Sequence, residues 1–329
     1  MVAALFFDTL DGDAVLEAVS ELRIVAHGVS LEVVPLPTCM TIAMTIASST
    51  RLPSMITRRS RIVVGSSWMV LVHGRRSWRN RAVIPTRVAM IFAMEAEAAP
   101  VVQALGLTAD PTHVDPRLGM VHYTGIWRER IALLVSVNGK DPRYGVDKIG
   151  THPTALNSYV TLSRYRPTLC INAGTAGGFR ARGGAIGDVI VSNGVLRFHD
   201  RRIPIDGFRE YGVGAHPSLR LAEVAARLGI REGSISTSDS LDATDECHAR
   251  MHAHQTDAKE MEAAAVAWVC AMLEVPFVAM KSITDLVDGG APTATEFLEN
   301  LQVASMRLRD RLVALLELLA AEPELFGAR

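Results

Sequence analysis

Acidic residues are missing from positions 33–94 of this 329-residue chain, a stretch that carries nine arginines between Arg51 and Arg87. Residues 1–32 hold six acids and one base, Arg23, and residues 95–329 hold 29 acids and 24 bases. The formal net charge of −1 therefore averages two unlike parts. It excludes a general nucleic-acid binder, which needs a clustered basic excess in its working domain. Cysteine is scarce. Cys39, Cys170, Cys247 and Cys270 form no C-x-x-C pair, and Cys170 and Cys270 lie inside apolar runs. That argues against a disulfide framework or a structural zinc site and fits a reducing, cytoplasmic setting. Long apolar runs are lacking too. The uncharged stretch 33–50 is broken by Pro35, Pro37 and several threonines, so no membrane span or membrane partner is expected. With 49% hydrophobic residues the chain is not disordered as a whole.

The charge split suggests a boundary. Residues 1–86 read as an arginine-rich leader: transit-like over 51–87, a poorly ordered extension, or the product of a misassigned start. The acids of the first 32 residues do not fit a targeting peptide, and no function is derived from this part. Residues 87–329 read as one catalytic domain.

From Arg87 onward, short apolar runs alternate with helical patterns. Strands are expected at 87–94, 131–137, 167–173, 186–192 and 275–283. Helices are expected at 145–165, with Ala155, Leu156, Tyr159 and Leu162 on one face, at 258–273, and at 293–319, with Thr293 as cap before Glu296. This alternation predicts an α/β fold, a three-layer α/β/α sandwich around a mixed, largely parallel sheet.

Ligand chemistry in such folds gathers where strands give way to loops. Four constellations stand there. Glu95 and Glu97 follow the first strand; at i, i+2 they point different ways on a helix, so at most one caps it. Residues 172–179 form a glycine-rich segment containing Thr175, whose backbone can approach a ligand closely, yet it matches neither Walker A nor G-x-G-x-x-G. Glu260, Met261 and Glu262 open the apolar stretch before the last strand, where a buried carboxylate needs donors such as sugar hydroxyls. Asp285 ends that strand, where burial can raise a carboxyl into the range of a general acid. Three carboxylates around a Gly/Thr segment suit hydrolysis through a cationic sugar transition state, with one acid, one base and one sugar anchor.

These residues, together with Phe198-His199-Asp200-Arg201-Arg202-Ile203-Pro204-Ile205, residues 236–242 and Thr284-Asp285-Leu286-Val287-Asp288-Gly289, resemble the plant-type 5′-methylthioadenosine nucleosidases of the purine nucleoside phosphorylase/hydrolase superfamily. The resemblance covers residues 87–320. It implies that Glu97 activates water, that Asp285 protonates adenine N7, and that Glu262 binds the ribose hydroxyls, with Glu260 and Met261 beside it. It further implies that Thr175 lies near water and ribose, that Leu241 and Asp242 hold adenine, and that Met94 and Ile203 line the 5′-alkylthio pocket. Phe208 falls near a segment shared between subunits, which implies a homodimer. No cofactor and no metal are implied. Three departures stand out: residues 138–143 differ from the family's Pro-Gly-Arg-Asp-Ala-Ala, Ser238 replaces Gly, and Glu260 replaces Asp.

Rival readings are a phosphorylase, a futalosine or S-adenosylhomocysteine nucleosidase on the same fold, and a noncatalytic nucleoside sensor. A carboxylate base at Glu97 would repel phosphate, which counts against the first. Cys247, His248, His252 and His254 resemble a metal site by composition, but their polar segment reads as a solvated helix or loop. The basic run at 51–87 has only Trp68 and Trp78 as interleaved aromatics, so no nucleic-acid partner is expected.

Overall fold

In the computed structural model the chain divides into two units, Met1–Gly74 and Arg75–Arg329. The residues described are 85–113 and 115–326, with the backbones of four earlier strands. Those four form two antiparallel pairs, β1 (Val29–Leu36) with β2 (Cys39–Ile46) and β3 (Arg61–Val64) with β4 (Met69–Val72). The leader expected over 1–86 otherwise lies outside the described residues.

The second unit is built on one ten-stranded sheet. Its elements in order are β5 (Arg87–Phe92), α1 (Glu95–Ala104), β6 (Thr108–Ala109), β7 (Val121–Trp127), β8 (Ile131–Val137), α2 (Thr151–Tyr165), β9 (Leu169–Gly178) and β10 (Val189–Phe198). They continue as α3 (Phe208–Val213), β11 (His216–Pro217), α4 (Ala222–Leu228), β12 (Arg231–Thr237), α5 (Asp245–Ala253), β13 (Ala258–Glu260), α6 (Ala263–Met272), β14 (Phe277–Leu286) and α7 (Thr293–Ala321). The centre of the sheet is parallel: β5 lies between β8 and β9, and β14 runs parallel to β9. The alternation of β5 explains the layers. Val88, Met90 and Phe92 face a core filled by α1, α4 and α7, while Ala89 and Ile91 face one filled by α2 and α6. Both faces of the sheet are thus covered, and the expected three-layer α/β architecture is met.

One part of the sheet closes on itself. β9 pairs with β14, β14 with β10, β10 with β12, β12 with β13, and β13 again with β9. This ring gathers the far ends of β9, β12, β13 and β14 in one place. There β14 carries a bulge between Ile283 and Asp285 relative to β9. Bulges of this kind re-aim side chains beside functional sites.

Several boundaries differ from the sequence expectations. β9 does not stop at Gly174 but runs to Gly178, and β14 runs past Ile283, so Thr175 and Asp285 lie within strands. The helix expected over 258–273 is split: Ala258–Glu260 is a strand, and the helix starts at Ala263 with Glu262 as its N-cap residue. α2 begins at Thr151 because Gly150, at φ 96°, turns the chain before it. Leu162 is buried and Ala155 packs against the core as expected, but the rest of the buried face is polar, with Thr154, Asn157, Ser158 and Thr161, while Leu156 and Tyr159 are exposed. Those buried groups are bonded: Asn157 accepts from Ser136 at 2.6 Å and donates to Asn138 at 2.9 Å, and Asn138 donates to Thr154 at 2.7 Å. Thr293 does not cap α7, whose N-cap residue is Pro292; Glu296 instead accepts from the Leu286 amide at 3.0 Å. No helix among the described residues is long and apolar enough to cross a membrane.

Candidate active site

Glu97 enters from the first turn of α1 and is almost fully buried. Its Oε1 accepts from the Thr175 amide and the Thr175 hydroxyl, both at 2.7 Å. This close approach depends on Gly174, where a Cβ would stand 3.1 Å from the Glu97 carboxylate. Burial raises the Glu97 pKa, although Lys281 and the Thr175 bonds pull it back toward the ordinary value. A carboxylate held this way can accept a proton from water.

Asp285 lies two steps further along the same ladder. It pairs in register with Gly177, and a Cβ there would stand 2.6 Å from Asp285 Oδ2. Thr284 donates to Asp285 Oδ1 at 2.7 Å. Burial raises the Asp285 pKa, offset by the Thr284 bond and the Lys259 ammonium. Thr175 and Gly177, which the two carboxyls contact, are separated by about 7 Å along an extended strand.

The third carboxylate, Glu262, is buried at the N-terminus of α6. Its Oε1 accepts from the Gly150 amide at 3.0 Å, and its Oε2 lies 3.7 Å from Lys281 Nζ. Burial raises its pKa to about 7 against the pull of Lys281, with neighbouring Glu260 adding to the rise. Glu260, expected among the substrate-binding residues, has both oxygens bonded to protein. Thr237 donates to Oε1, and Lys281 Nζ (2.9 Å) and the amides of Glu262 (2.9 Å) and Ala263 (2.8 Å) all reach Oε2. Burial opposes its charge, yet Lys281 and these bonds hold its pKa below the ordinary value.

Sequence reasoning gave no place in the cluster to Lys281. It sits in β14 opposite Gly174, with a side chain only 1% exposed. The available signal was a single cation inside an otherwise apolar stretch leading to Asp285. Lys259 was also missed. Its Nζ donates to the carbonyls of Ser240 (2.7 Å) and Leu241 (2.8 Å), tying the 238–242 loop to the ring.

The family assignment follows from the match of this same region. Residues 87–317 match the model of the phosphorylase superfamily. The 5′-methylthioadenosine nucleosidase of Arabidopsis thaliana is 40% identical over 222 residues, covering 67% of this chain and 82% of the relative. The chain belongs to the methylthioadenosine nucleosidase family of the phosphorylase superfamily. A second Arabidopsis thaliana relative, a 5′-methylthioadenosine/S-adenosylhomocysteine nucleosidase, is 35% identical over 236 residues, covering 71% of this chain and 92% of its own. Among solved structures, Arabidopsis thaliana 5′-methylthioadenosine nucleosidase in apo form superposes with a TM-score of 0.70 at 36% identity, covering 72% of this chain and 97% of that one.

The remaining residues expected of a nucleosidase surround the buried carboxylates unevenly. Met94 is half-buried, and its amide donates to Glu97 Oε2 at 3.4 Å. Met261 is half-buried between Glu260 and Glu262. Leu241 and Asp242 are exposed on the loop that Lys259 holds. Ile203 and Phe208 are not drawn into the cluster: Ile203 packs toward Gly212, and Phe208, at the start of α3, is 56% exposed. Cys247, His248 and His252 lie on α5, with His254 just past it, and only Cys247 of the four is buried. Among the described residues no three His, Cys, Asp or Glu side chains are grouped to hold a metal ion.

Proposed function

We propose that this nucleosidase hydrolyses the N-glycosidic bond of 5′-methylthioadenosine, releasing adenine and 5-methylthioribose, with S-adenosylhomocysteine as a second substrate. The observation that carries the reading is the pairing of two buried carboxyls with one strand, Glu97 bonded to Thr175 and Asp285 packed on Gly177. Adenine is a poor leaving group as an anion, so Asp285, whose pKa is raised, donates a proton at N7 as the bond breaks. Positive charge develops on the ribose and is stabilised by the carboxylates around it. Glu97 takes a proton from the attacking water, and Glu262 accepts the ribose hydroxyls. Met94 faces the 5′ substituent, and the Leu241–Asp242 loop holds the base. Relatives named for both nucleosides support the choice of substrates.

The functional unit in this reading is a homodimer. The loop before α2, together with α2 and α6, leaves Tyr144, Val146, Leu156, Tyr159 and Trp268 exposed, an apolar surface suited to a second copy of the chain. Adenine release measured on both nucleosides tests the substrate assignment. Release from 5′-methylthioadenosine is the expected result, and release from neither would overturn it.

A further inference from the structure

Three buried carboxylates surround one buried ammonium. Lys281 Nζ lies 2.9 Å from Glu260 and 3.7 Å from Glu262, and it interacts electrostatically with Glu97. If every group were ionised the cluster would hold a net charge of −2, which a buried site resists by keeping a proton. The two ends of the Lys281–Glu260 pair are unlike the other members. Both oxygens of Glu260 are bonded to protein, Oε1 by Thr237 and Oε2 by Lys281 and the first amides of α6. Lys281 projects from the strand that carries Asp285 and stands opposite the glycine over which Glu97 lies.

We propose that the Lys281–Glu260 ion pair is a positioning device that sets the charge and place of Glu97 and Glu262 without touching the substrate. Lys281 supplies the positive charge that lets Glu97 ionise in a buried site. Glu260 moderates that charge and fastens the N-terminus of α6, from which Glu262 projects. Glu260 therefore opposes Lys281 in its effect on the other two carboxylates. This rests on the reaction proposed above, in which Glu97 acts ionised.

The groups facing the cluster are Glu97 from α1, the Gly150 amide before α2, Thr175 from β9, Thr237 from β12, Glu260 from β13, Glu262 at α6 and Lys281 from β14. His199, held neutral by burial with its pKa lowered to about 4, and Lys259 also face Glu260.

The test is the pH profile of kcat for adenine release in the full-length protein and three variants. Lys281→Met is expected to move the acidic limb to higher pH by about one unit or more, since a nearby opposite charge shifts a carboxyl by about 1–3 units. Glu260→Gln is expected to move it to lower pH, and Lys281→Arg to leave it near the wild-type position. A purely structural pair would lower kcat at every pH without moving the limb. An unmoved limb, or shifts of one sign in both neutralised variants, overturns the proposal. Should Lys281→Met fail to fold, the direction of the Glu260→Gln shift decides alone. The pH dependence of the thermal unfolding midpoint reads the same titration without turnover. A wild type that releases no adenine but shows these opposite shifts on unfolding would thus overturn the reaction and leave the ion-pair role standing.

Discussion

Two carboxyl groups in this site are asked to carry opposite protonation states, and their surroundings differ accordingly. Glu97 receives two bonds from Thr175 and lies near Lys281, all of which favour its ionised form against the penalty of burial. Asp285 has one hydroxyl donor and the charge of Lys259 against the same penalty. Glu97→Gln keeps the size and the Thr175 contact but cannot accept a proton. It is expected to lower kcat by about 10²–10⁴-fold, the usual contribution of a general base, while binding of a nontransformable nucleoside analogue stays close to wild type. Loss of binding in parallel with kcat would point instead to a ground-state role. The pH dependence follows from the same groups. Glu97 must be ionised and its pKa is raised, so activity falls as pH drops through a point above the ordinary carboxylate value of 4.5. Stability has its own window. Glu262, raised to about 7, binds protons more readily folded than unfolded, so its contribution is complete below about pH 4.5 and is lost as pH rises through 7. Glu260, lowered, contributes above the ordinary value and loses that contribution as pH falls. Thermal unfolding is therefore expected to peak between these two losses.

At the scale of elements, the site depends on how closely strands approach. Gly177 lets β9 lie against both Asp285 of β14 and Lys259 of β13. Gly177→Ala would place a methyl 2.6 Å from Asp285 Oδ2 and 2.8 Å from Val287. It is expected to reduce adenine release at least tenfold while leaving the far-UV circular dichroism spectrum unchanged. Undiminished turnover would show that the position of Asp285 does not matter. The elements also show where the sequence was legible. Glu97, Glu262 and Asp285 were readable because each adjoins the end of an apolar run, and the runs themselves placed β5, β8, β9 and β14. Lys281 was not, because its partners come from α1, β13 and α6, which only the closed ring brings together. The face of α2 was misread for a related reason. Apolar periodicity assigns Leu156 and Tyr159 to the core, yet Asn157 and Thr161 are inside, bonded to Ser136 and Asn138 on and beyond β8. The last boundaries failed on local grounds: glycines in β9 looked like a stop, and the three-residue strand Ala258–Glu260 ran into the pattern of the helix after it.

At the scale of the whole molecule, the misplaced face of α2 becomes informative. Leu156 and Tyr159 stand outward, as do Tyr144 and Val146. The homodimer reading predicts that replacing both Leu156 and Tyr159 by Asp shifts the sedimenting species from dimer to monomer. A wild-type chain that sediments as a monomer at micromolar concentration would contradict it. The family match covers residues 87–317 and includes every residue assigned a role, so we propose residues 87–329 as the catalytic domain. The central claim is that water, activated by Glu97, is the nucleophile. Its most direct measurement is product analysis with 5′-methylthioadenosine in phosphate-free buffer. The account predicts adenine and free 5-methylthioribose at a rate unaffected by added phosphate. Turnover that requires phosphate and yields 5-methylthioribose 1-phosphate would contradict it.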